Sequence, residues 1–415
     1  MTLGEISVSH VVTSNEGGAA IAAAELNKGL VERGVDSRLL VPSVKSSKIL
    51  LLPTDILIKS GVYAKAKSKS MTLFQRSVVQ STPDLITTFG TSRVRSSELA
   101  RKNSVIHVHS IYNFLSSDQL LKLARFGQNI VINFHDQRFI TGGCHHDRGC
   151  REFVSECKQC PMVRAPFRIF VEKEKDKMNK LIEAENVLLV APSGFIFNKI
   201  QEVLPKDGKK VFIIPNLPPK VISQDTLQRK VLRESLGISE RMFVVGFSAA
   251  NLESPYKNFT YFKELMKELK SACALRMIPL RILVVGAGHP LELGGDAINV
   301  GSVNSSRARK LLSAMDLLLV TSSIDNSPNV VIESLLEGTP VLSKRVGGIP
   351  ELFTHLENWP YLSGDLSEDV LTILSLFGSV NSRDALRDKS LEVFDREKIL
   401  TQYIELYKNF RDKGT

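Results

Sequence analysis

Short apolar runs alternate with longer amphipathic stretches along the whole chain. The apolar runs are Ile6–Val12, Ser37–Val41, Val105–Val108, Ile130–Phe134, Val187–Ala191, Val211–Ile214, Phe243–Phe247, Arg281–Val285, Asp316–Val320 and Pro340–Ser343. Runs of this length and composition are typical of strands buried on both faces of a parallel sheet, and the stretches between them have helical composition. The pattern therefore predicts an α/β fold.

A proline-rich break divides the chain into two parts. Pro215–Pro219 follows the last strand of the first part and interrupts regular structure, as an interdomain hinge does. A chain of 415 residues is long enough for two or three domains with separate cores. We predict domains at residues 1–215 and 223–391, a hinge at 216–222, and a C-terminal helix within 392–415. The amphipathic stretch Glu392–Phe410 supplies that helix.

A predicted helix begins just after the strand Asp316–Val320. Ser327 and Pro328 are suited to its N-cap and first turn, and Gly338 to the left-handed residue that ends it. The backbone N–H groups and positive dipole end of such a helix favour a diphosphate. The candidate residues for binding this diphosphate are Ser327, Asn329 and Val330, at the start of the helix.

Two acids flank the predicted helix start. Asp325 lies in the preceding loop and Glu333 within the helix, so the two carboxylates can face one ligand from opposite sides. Carboxylates accept hydrogen bonds from paired hydroxyls, which a ribose or a hexose presents. The alternative is a capped surface helix whose acids are solvated.

The spacing of these acids and of the following glycines resembles the E-x7-E signature of glycosyltransferase family 4, whose members are retaining enzymes of the GT-B fold. Here the pattern consists of Asp325, Glu333, Gly338-Thr339-Pro340-Val341 and Gly347-Gly348-Ile349-Pro350-Glu351. The resemblance implies two Rossmann-like domains facing each other across a cleft, with the C-terminal helix crossing back to the N-terminal domain. It assigns the donor hexose to Asp325 and the ribose to Glu333. Aspartate replaces the usual first glutamate, which shortens the reach to the hexose.

Other residues are similar to functional positions of that family. His135 matches a histidine that contacts the donor sugar, and Lys257 matches a lysine that binds donor phosphate. The alternatives are a packed or capping histidine and a solvated loop lysine. An arginine usual in the family is replaced by Asn251. The remaining matches are Gly17 and Gly18, near the donor phosphates and the acceptor, and the turn at Val303, beside the nucleobase.

The resemblance makes His135, Asp325 and Lys257 the candidate catalytic residues. Preorganised positive groups stabilise a leaving diphosphate, so we expect no cofactor and no divalent metal in the chemistry. Residues from both domains imply closure about the hinge, with water excluded on closing.

The segment Thr141–Pro161 holds four of the five cysteines. They are Cys144, Cys150, Cys157 and Cys160, in the order C-x5-C-x6-C-x2-C. Such crowding in a cytosolic chain favours a structural zinc site, with free or redox-active thiols and two disulfides as the alternatives. A similar insertion occurs in family members that build bacterial surface polysaccharides, and it implies no catalytic metal.

The charge balance leaves the class of partner open. The net charge of +10 is concentrated partly in Lys45–Arg76, where lysines alternate with apolar residues. This mixture suits peripheral contact with an anionic membrane better than base readout, and a solvated face is the alternative. No apolar run reaches the ~20 residues of a spanning helix. The first residues, MTLGEISVSH, lack the basic and apolar regions of a secretory signal, so we expect none. We expect a cytoplasmic protein, working at the inner face of the membrane.

These features predict a retaining hexosyltransferase that uses a nucleotide diphosphate sugar and a glycan or polyprenyl-linked acceptor in surface-polysaccharide synthesis, without nucleic acid as a partner. The first alternative is a nucleotide-sugar epimerase or hydrolase of the same fold, which shares the donor pocket but needs no acceptor. The second is a basic, zinc-stapled nucleic-acid-binding protein, suggested by the net charge and the cysteine cluster.

Overall fold

The computed structural model describes most of the chain. The described residues are 6–14, 16–42, 52–53, 56–58, 94–99, 104–111, 114–205, 210–220, 226–288, 293–377 and 383–411. The basic segment Lys45–Arg76, predicted to contact a membrane, lies almost entirely outside these ranges. Across the described ranges, every helix is too short or too polar to span a bilayer.

The chain divides into two compact units. The first comprises residues 1–217 together with 397–415, and the second comprises residues 218–396. The division therefore falls inside the predicted hinge at 216–222, and the returning C-terminal segment begins at Glu397 rather than at residue 392.

The first unit is built on a parallel sheet of seven described strands in the order β3-β2-β1-β4-β5-β6-β7. The strands are β1 Ser7–Val11, β2 Asp36–Pro42, β3 Ile56–Ile58, β4 Ser104–Val108, β5 Asn129–Asn133, β6 Val187–Ala191 and β7 Val211–Ile213. The helices are α1 Gly18–Glu32, α2 Ser96–Leu99, α3 Ser117–Arg125, α4 Arg168–Glu183 and α5 Gly194–Gln201. Three short 3-10 turns, Arg138–Ile140, Glu152–Val154 and Ala165–Phe167, lie between β5 and α4.

Apolar side chains on alternate positions of these strands supply a core on each face of the sheet. One face packs on α3, α4 and α5 around residues such as Ile106 and Ile132. The other packs on α1 and on the C-terminal helix α12, Arg396–Arg411. The α12 residues buried there are Ile399, Leu400, Tyr403, Ile404, Leu406, Tyr407 and Phe410. The predicted return of the C-terminal helix to the N-terminal domain is confirmed.

The second unit is built on a parallel sheet of five described strands in the order β10-β9-β8-β11-β12. The strands are β8 Phe243–Asn251, β9 Leu280–Ala287, β10 Ala297–Gly301, β11 Leu317–Val320 and β12 Val341–Ser343. The helices are α6 Thr226–Ser235, α7 Phe259–Leu275, α8 Ser305–Ser313, α9 Asn329–Leu336, α10 Leu366–Leu376 and α11 Arg383–Val393. Two apolar cores, one on each face of this sheet, complete a second Rossmann-like unit. The predicted α/β class is confirmed.

Some predicted boundaries were wrong. The stretch Glu392–Phe410 is not one helix, because α11 ends at Val393 and α12 begins at Arg396. The strand predicted to end at Phe247 continues to Asn251 through an irregular step in its pairing with β9. Such a bulge is set by tertiary pairing rather than by local composition.

Candidate functional site

The loop after β11 leads into α9 at the carboxyl end of the second sheet, where open α/β sheets bind their ligands. The helix begins at Asn329, and its N-cap is Pro328 in an extended conformation without a side-chain cap bond. The prediction of Ser327 as N-cap and Pro328 within the first turn was therefore wrong. Because Pro328 has ψ of 115°, it stands just outside the helix. Ser327 precedes it and is buried.

The first turn of α9 contains Asn329 and Val330, both half-buried. First-turn N–H groups have no partner within a helix and point toward its N-terminal end, which suits an anion. Glu333 lies one turn further along and is also half-buried. The donor-site residues predicted on this helix are therefore neighbours on one element, and Gly338 ends that element with φ of +69°.

Lys257 and Asp325, to which the sequence assigned separate tasks, meet in the structure. Lys257 Nζ donates to Asp325 Oδ2 at 2.6 Å, and both side chains are partly exposed, at 29% and 18%. A pair that keeps contact with solvent contributes little to stability, about 0–1 kcal/mol. Its value lies in placing one cation and one carboxylate together at the loop that precedes α9.

Backbone contacts hold the two loops of this pair together. Thr321 Oγ1 donates to the carbonyl oxygens of Lys257 and Asn258, at 2.9 and 3.0 Å. The backbone N–H of Ser323 donates to Tyr256 O at 2.8 Å. These hydrogen bonds fix the position of Lys257 relative to the end of the strand at Val320. The backbone therefore holds the two loops that carry the ion pair in place.

The glycine turn after β12 closes directly on Asp325. Gly348 N donates to Asp325 O at 2.9 Å, and a Cβ on Gly347 would lie 2.0 Å from that same oxygen. Gly347 also has φ of +57°, in the left-handed region. The signature glycines therefore act on the site through the backbone of Asp325, since only glycine permits this approach.

Two further cations follow β12, but aromatic rings hold them. Lys344 Nζ lies 4.0 Å from the centroid of Tyr261, and the Arg345 guanidinium lies 5.5 Å from that of Tyr361. Cation–π contacts of this kind orient a charge without neutralising it. Lys344 follows directly on β12, and its backbone N–H donates to Val320 O at 3.2 Å.

The remaining residues predicted to contact the donor lie at other loop ends. Asn251 is the exposed last residue of β8, and its side chain accepts a hydrogen bond from Glu253 N at 3.0 Å. Val303 lies between β10 and α8 and packs, half-buried, on the core. In the first unit, Gly17 is the N-cap of α1 with φ of +91°, and Gly18 is the first residue of that helix.

His135 follows β5 and belongs to a hydrogen-bonded row of histidines that sequence reasoning missed. His135 Nε2 lies 2.9 Å from His109 Nδ1, and His109 Nε2 lies 3.0 Å from His10 Nδ1. His10 and His107 are direct partners in the register of β1 and β4. His107 Nδ1 in turn lies 2.7 Å from the hydroxyl of Tyr407 on α12. The signal was the H-x-H pattern at the end of β4.

Burial keeps these imidazoles neutral. It lowers the pKa of His10 to about 3 and the pKa values of His107 and His109 well below 6.5. Burial also lowers the pKa of His135 to about 4, although the negative charge of Asp136 acts to raise it. His10 Nε2 is buried without a hydrogen-bond partner among the described residues. We therefore assign the proton of His10 to Nδ1, so that no N–H is buried unpaired and the row donates toward His135.

We expect the stability of the protein to fall as the pH drops below about 6.5, because the unfolded chain then binds protons that buried His10, His107 and His109 cannot take up. Each such histidine costs about 1.4 kcal/mol per pH unit until its folded-state pKa is reached. Thermal unfolding measured between pH 7.5 and about pH 5 tests this. In a His10→Asn variant, the number of protons taken up on unfolding should be smaller by about one, so its stability should depend less steeply on pH. An unchanged unfolding temperature in the parent would contradict the assignment.

The loop after His135 is tied to the cysteine-rich segment. His145 Nδ1 lies 3.2 Å from Asp136 Oδ2, and Gln137 N donates to His145 O at 2.8 Å. The neighbouring Arg138 guanidinium lies 3.5 Å from the same carboxylate oxygen. The nearby cations hold the pKa of Asp136 well below its usual range, despite burial. Asp136 is therefore a fixed anion that links the end of β5 to the insertion.

The four cysteines of the insertion surround one small cavity. Its volume is about 20 Å³, and Asp147, Phe153, Met162 and Val171 line it together with Cys144, Cys150, Cys157 and Cys160. All five cysteines of the chain are free thiols, and Cys273 is buried alone in the second unit. The four residues predicted as a metal set therefore line the same cavity.

A family model described as "Glycosyl transferases group 1" matches residues 242–375, which extend from β8 into α10. A relative of similar length is the putative colanic acid biosynthesis glycosyl transferase WcaC of Escherichia coli K12. It is 21% identical over 95% of this chain and 97% of its own length. The match to the family model covers the Lys257–Asp325 pair and the whole of α9.

Solved structures share the fold across nearly the whole chain. HepE of Anabaena, solved in complex with UDP and glucose, aligns with a TM-score of 0.62 and 16% identity, covering 97% of this chain and 99% of its own. WaaG, a glycosyltransferase involved in lipopolysaccharide biosynthesis, aligns with a TM-score of 0.61 and 14% identity, covering 96% of this chain and 99% of its own. The predicted GT-B fold is confirmed, and the family-model match agrees with the resemblance to glycosyltransferases within residues 242–375.

Proposed function

We propose that this protein of the GT-B fold is a glycosyltransferase that moves a hexose from a nucleoside diphosphate sugar to a glycan or polyprenyl-linked acceptor, in the synthesis of a surface polysaccharide. The observation that carries the proposal is the Lys257–Asp325 pair at 2.6 Å beside the N-terminus of α9, with Glu333 one turn inside the helix. This arrangement offers a cation, a helix dipole and two hydroxyl acceptors within one short stretch of surface.

The chemistry needs positive charge where the diphosphate leaves. Lys257 and the first-turn N–H groups at Asn329 and Val330 would receive that charge, and preorganised donors of this kind are worth about 3–4 kcal/mol of barrier each. We infer from this that the reaction proceeds without a divalent metal. Asp325 would hold the hexose hydroxyls, and Glu333 the ribose.

His135 has a role that its neutral state permits. With the proton of His109 directed to His135 Nε2 at 2.9 Å, the proton of neutral His135 would lie on Nδ1, and we propose that His135 contacts the donor sugar in this form. His109 is then a positioning residue, because it sets which nitrogen of His135 is protonated. Retention of the anomeric configuration is part of the same proposal and is supported by the resemblance to family 4.

The names of similar proteins support the class of product. WcaC is named for colanic acid biosynthesis and WaaG for lipopolysaccharide biosynthesis, and HepE was solved with UDP and glucose. We propose by likeness that this chain also takes a nucleoside diphosphate sugar and builds a bacterial surface glycan.

Product analysis tests the proposal. The protein is incubated with single nucleotide sugars, with and without a lipid-linked or oligosaccharide acceptor and with and without magnesium, and the products are identified by NMR. We expect a new glycosidic linkage only when acceptor is present, with the same anomeric configuration as the donor sugar. Magnesium should not change the rate at which it forms. An altered sugar nucleotide without acceptor would indicate an epimerase instead, and free hexose as the sole product would indicate a hydrolase.

A further inference from the structure

The cysteine-rich insertion contains a site that sugar transfer does not use. We propose that Cys144, Cys150, Cys157 and Cys160 bind one structural zinc ion, which fixes residues 141–163 against the first unit. The zinc ion would hold a segment of the first unit in place, whatever the second unit binds.

The size and lining of the cavity suit a single metal ion. A volume of about 20 Å³ is enough for one atom-sized occupant. Phe153, Met162 and Val171 give most of the remaining wall an apolar character, which does not suit a water with several hydrogen bonds. The occupant that fits four sulfurs in an apolar wall is a soft cation, and four cysteines are a ligand set typical of structural zinc.

Backbone N–H groups are directed at two of the sulfurs, Gly142 at Cys157 and both Met162 and Val163 at Cys160. Donors of this kind orient metal-ligating side chains.

Cations outside the cluster would offset the negative charge of the metal complex. Zinc with four thiolates carries a net charge of −2, which favours nearby positive groups. Lys175 is almost fully buried, and its positive charge acts on Cys157. It donates to Ile140 O at 2.9 Å and to Asn179 Oδ1 at 2.8 Å. The Arg138 and Arg168 guanidinium groups act in the same direction on Cys144 and Cys160.

The zinc would hold the loop that carries His135. The insertion closes tightly on α4, where a Cβ on Gly142 would lie 2.3 Å from Val171 Cγ1. It also contacts the end of β5 through the hydrogen bond from Gln137 N to His145 O. Loss of the ion should therefore loosen both the insertion and the loop that follows His135.

Metal analysis of the full-length protein, purified without chelators, tests the proposal. We expect about one zinc per chain by elemental analysis, and less than about one tenth in a Cys157→Ser/Cys160→Ser variant. The matched control is Cys273→Ser, a buried cysteine of the second unit that should keep the full zinc content. Because the double variant could fail to fold, cobalt is also exchanged into the parent protein. Four thiolates give cobalt intense sulfur-to-metal charge-transfer absorption.

Two results would overturn the proposal. One is a parent protein without metal, whose insertion thiols all react with a thiol reagent after unfolding or are found as disulfides. The other is a zinc that remains in the cysteine double variant but disappears in a His10→Asn/His107→Asn variant. That outcome would place the ion at His10, His107 and His109, whose ligand nitrogens lie within 4.8 Å of one another.

Discussion

Replacing Lys257 with alanine is expected to lower sugar transfer by about 10²–10³-fold, the loss measured when one preorganised donor is removed from an active site. Lys257 lies 2.6 Å from Asp325 beside the start of α9, where the departing diphosphate would gain charge. With alanine at this position, only the dipole of α9 would stabilise the charge on the departing diphosphate. Steady-state kinetics should show the loss in kcat and in kcat/KM, since the interaction strengthens as the bond to the sugar breaks.

The matched control for this change is Lys267→Ala. Lys267 is an exposed lysine on α7 of the same unit, and its removal alters the net charge by the same amount. Its kcat should stay within about twofold of the parent, because an exposed charge far from the reaction is screened by salt. If Lys257→Ala also stays within a few-fold of the parent, the phosphate role of Lys257 is wrong.

Replacing Asp325 with asparagine is expected to separate binding from transfer. The amide removes the negative charge that now neutralises Lys257, so a nucleoside diphosphate should bind at least as tightly as to the parent. Transfer should fall by about 10²-fold, because the hexose loses a charged acceptor for its hydroxyls. Calorimetric titration with UDP and a transfer assay on the same preparation measure the two effects.

Asp388→Asn provides the control for that variant, because Asp388 is an exposed acid on α11 of the same unit. It should change neither binding nor transfer. A tenfold loss of UDP affinity in Asp325→Asn, with transfer lowered only in proportion, would indicate that Asp325 merely positions Lys257. The assignment of the hexose to Asp325 would then be abandoned.

Sequence patterns located the buried strands well and the exposed elements poorly. The strand Val187–Ala191 was placed to the residue, because its apolar run is buried in a sheet covered on both sides. The helix α6 was missed because Thr226–Ser235 is largely polar. Tertiary contacts hold it in place, through Arg229 and Arg233, which pair with Asp316 at 2.6 and 3.1 Å. No local pattern reports such a contact.

The candidate site was predictable as a set of residues but not as an arrangement. The acids and glycines of the α9 region are close in sequence, so their spacing was informative. The pairing of Lys257 with Asp325 joins loops 68 residues apart, and sequence alone gave the two residues separate tasks. The row of His10, His109 and His135 was missed for the same reason, since three separate strands supply it.

The central claim is that the start of α9 binds the pyrophosphate of a sugar nucleotide, and a crystal structure of the protein soaked with UDP-glucose tests it most directly. We predict difference density for two phosphates against the backbone of Asn329 and Val330, with Lys257 Nζ turned from Asp325 toward a phosphate oxygen. A well-occupied nucleotide bound elsewhere on the second unit, with the Lys257–Asp325 pair intact, would contradict the account.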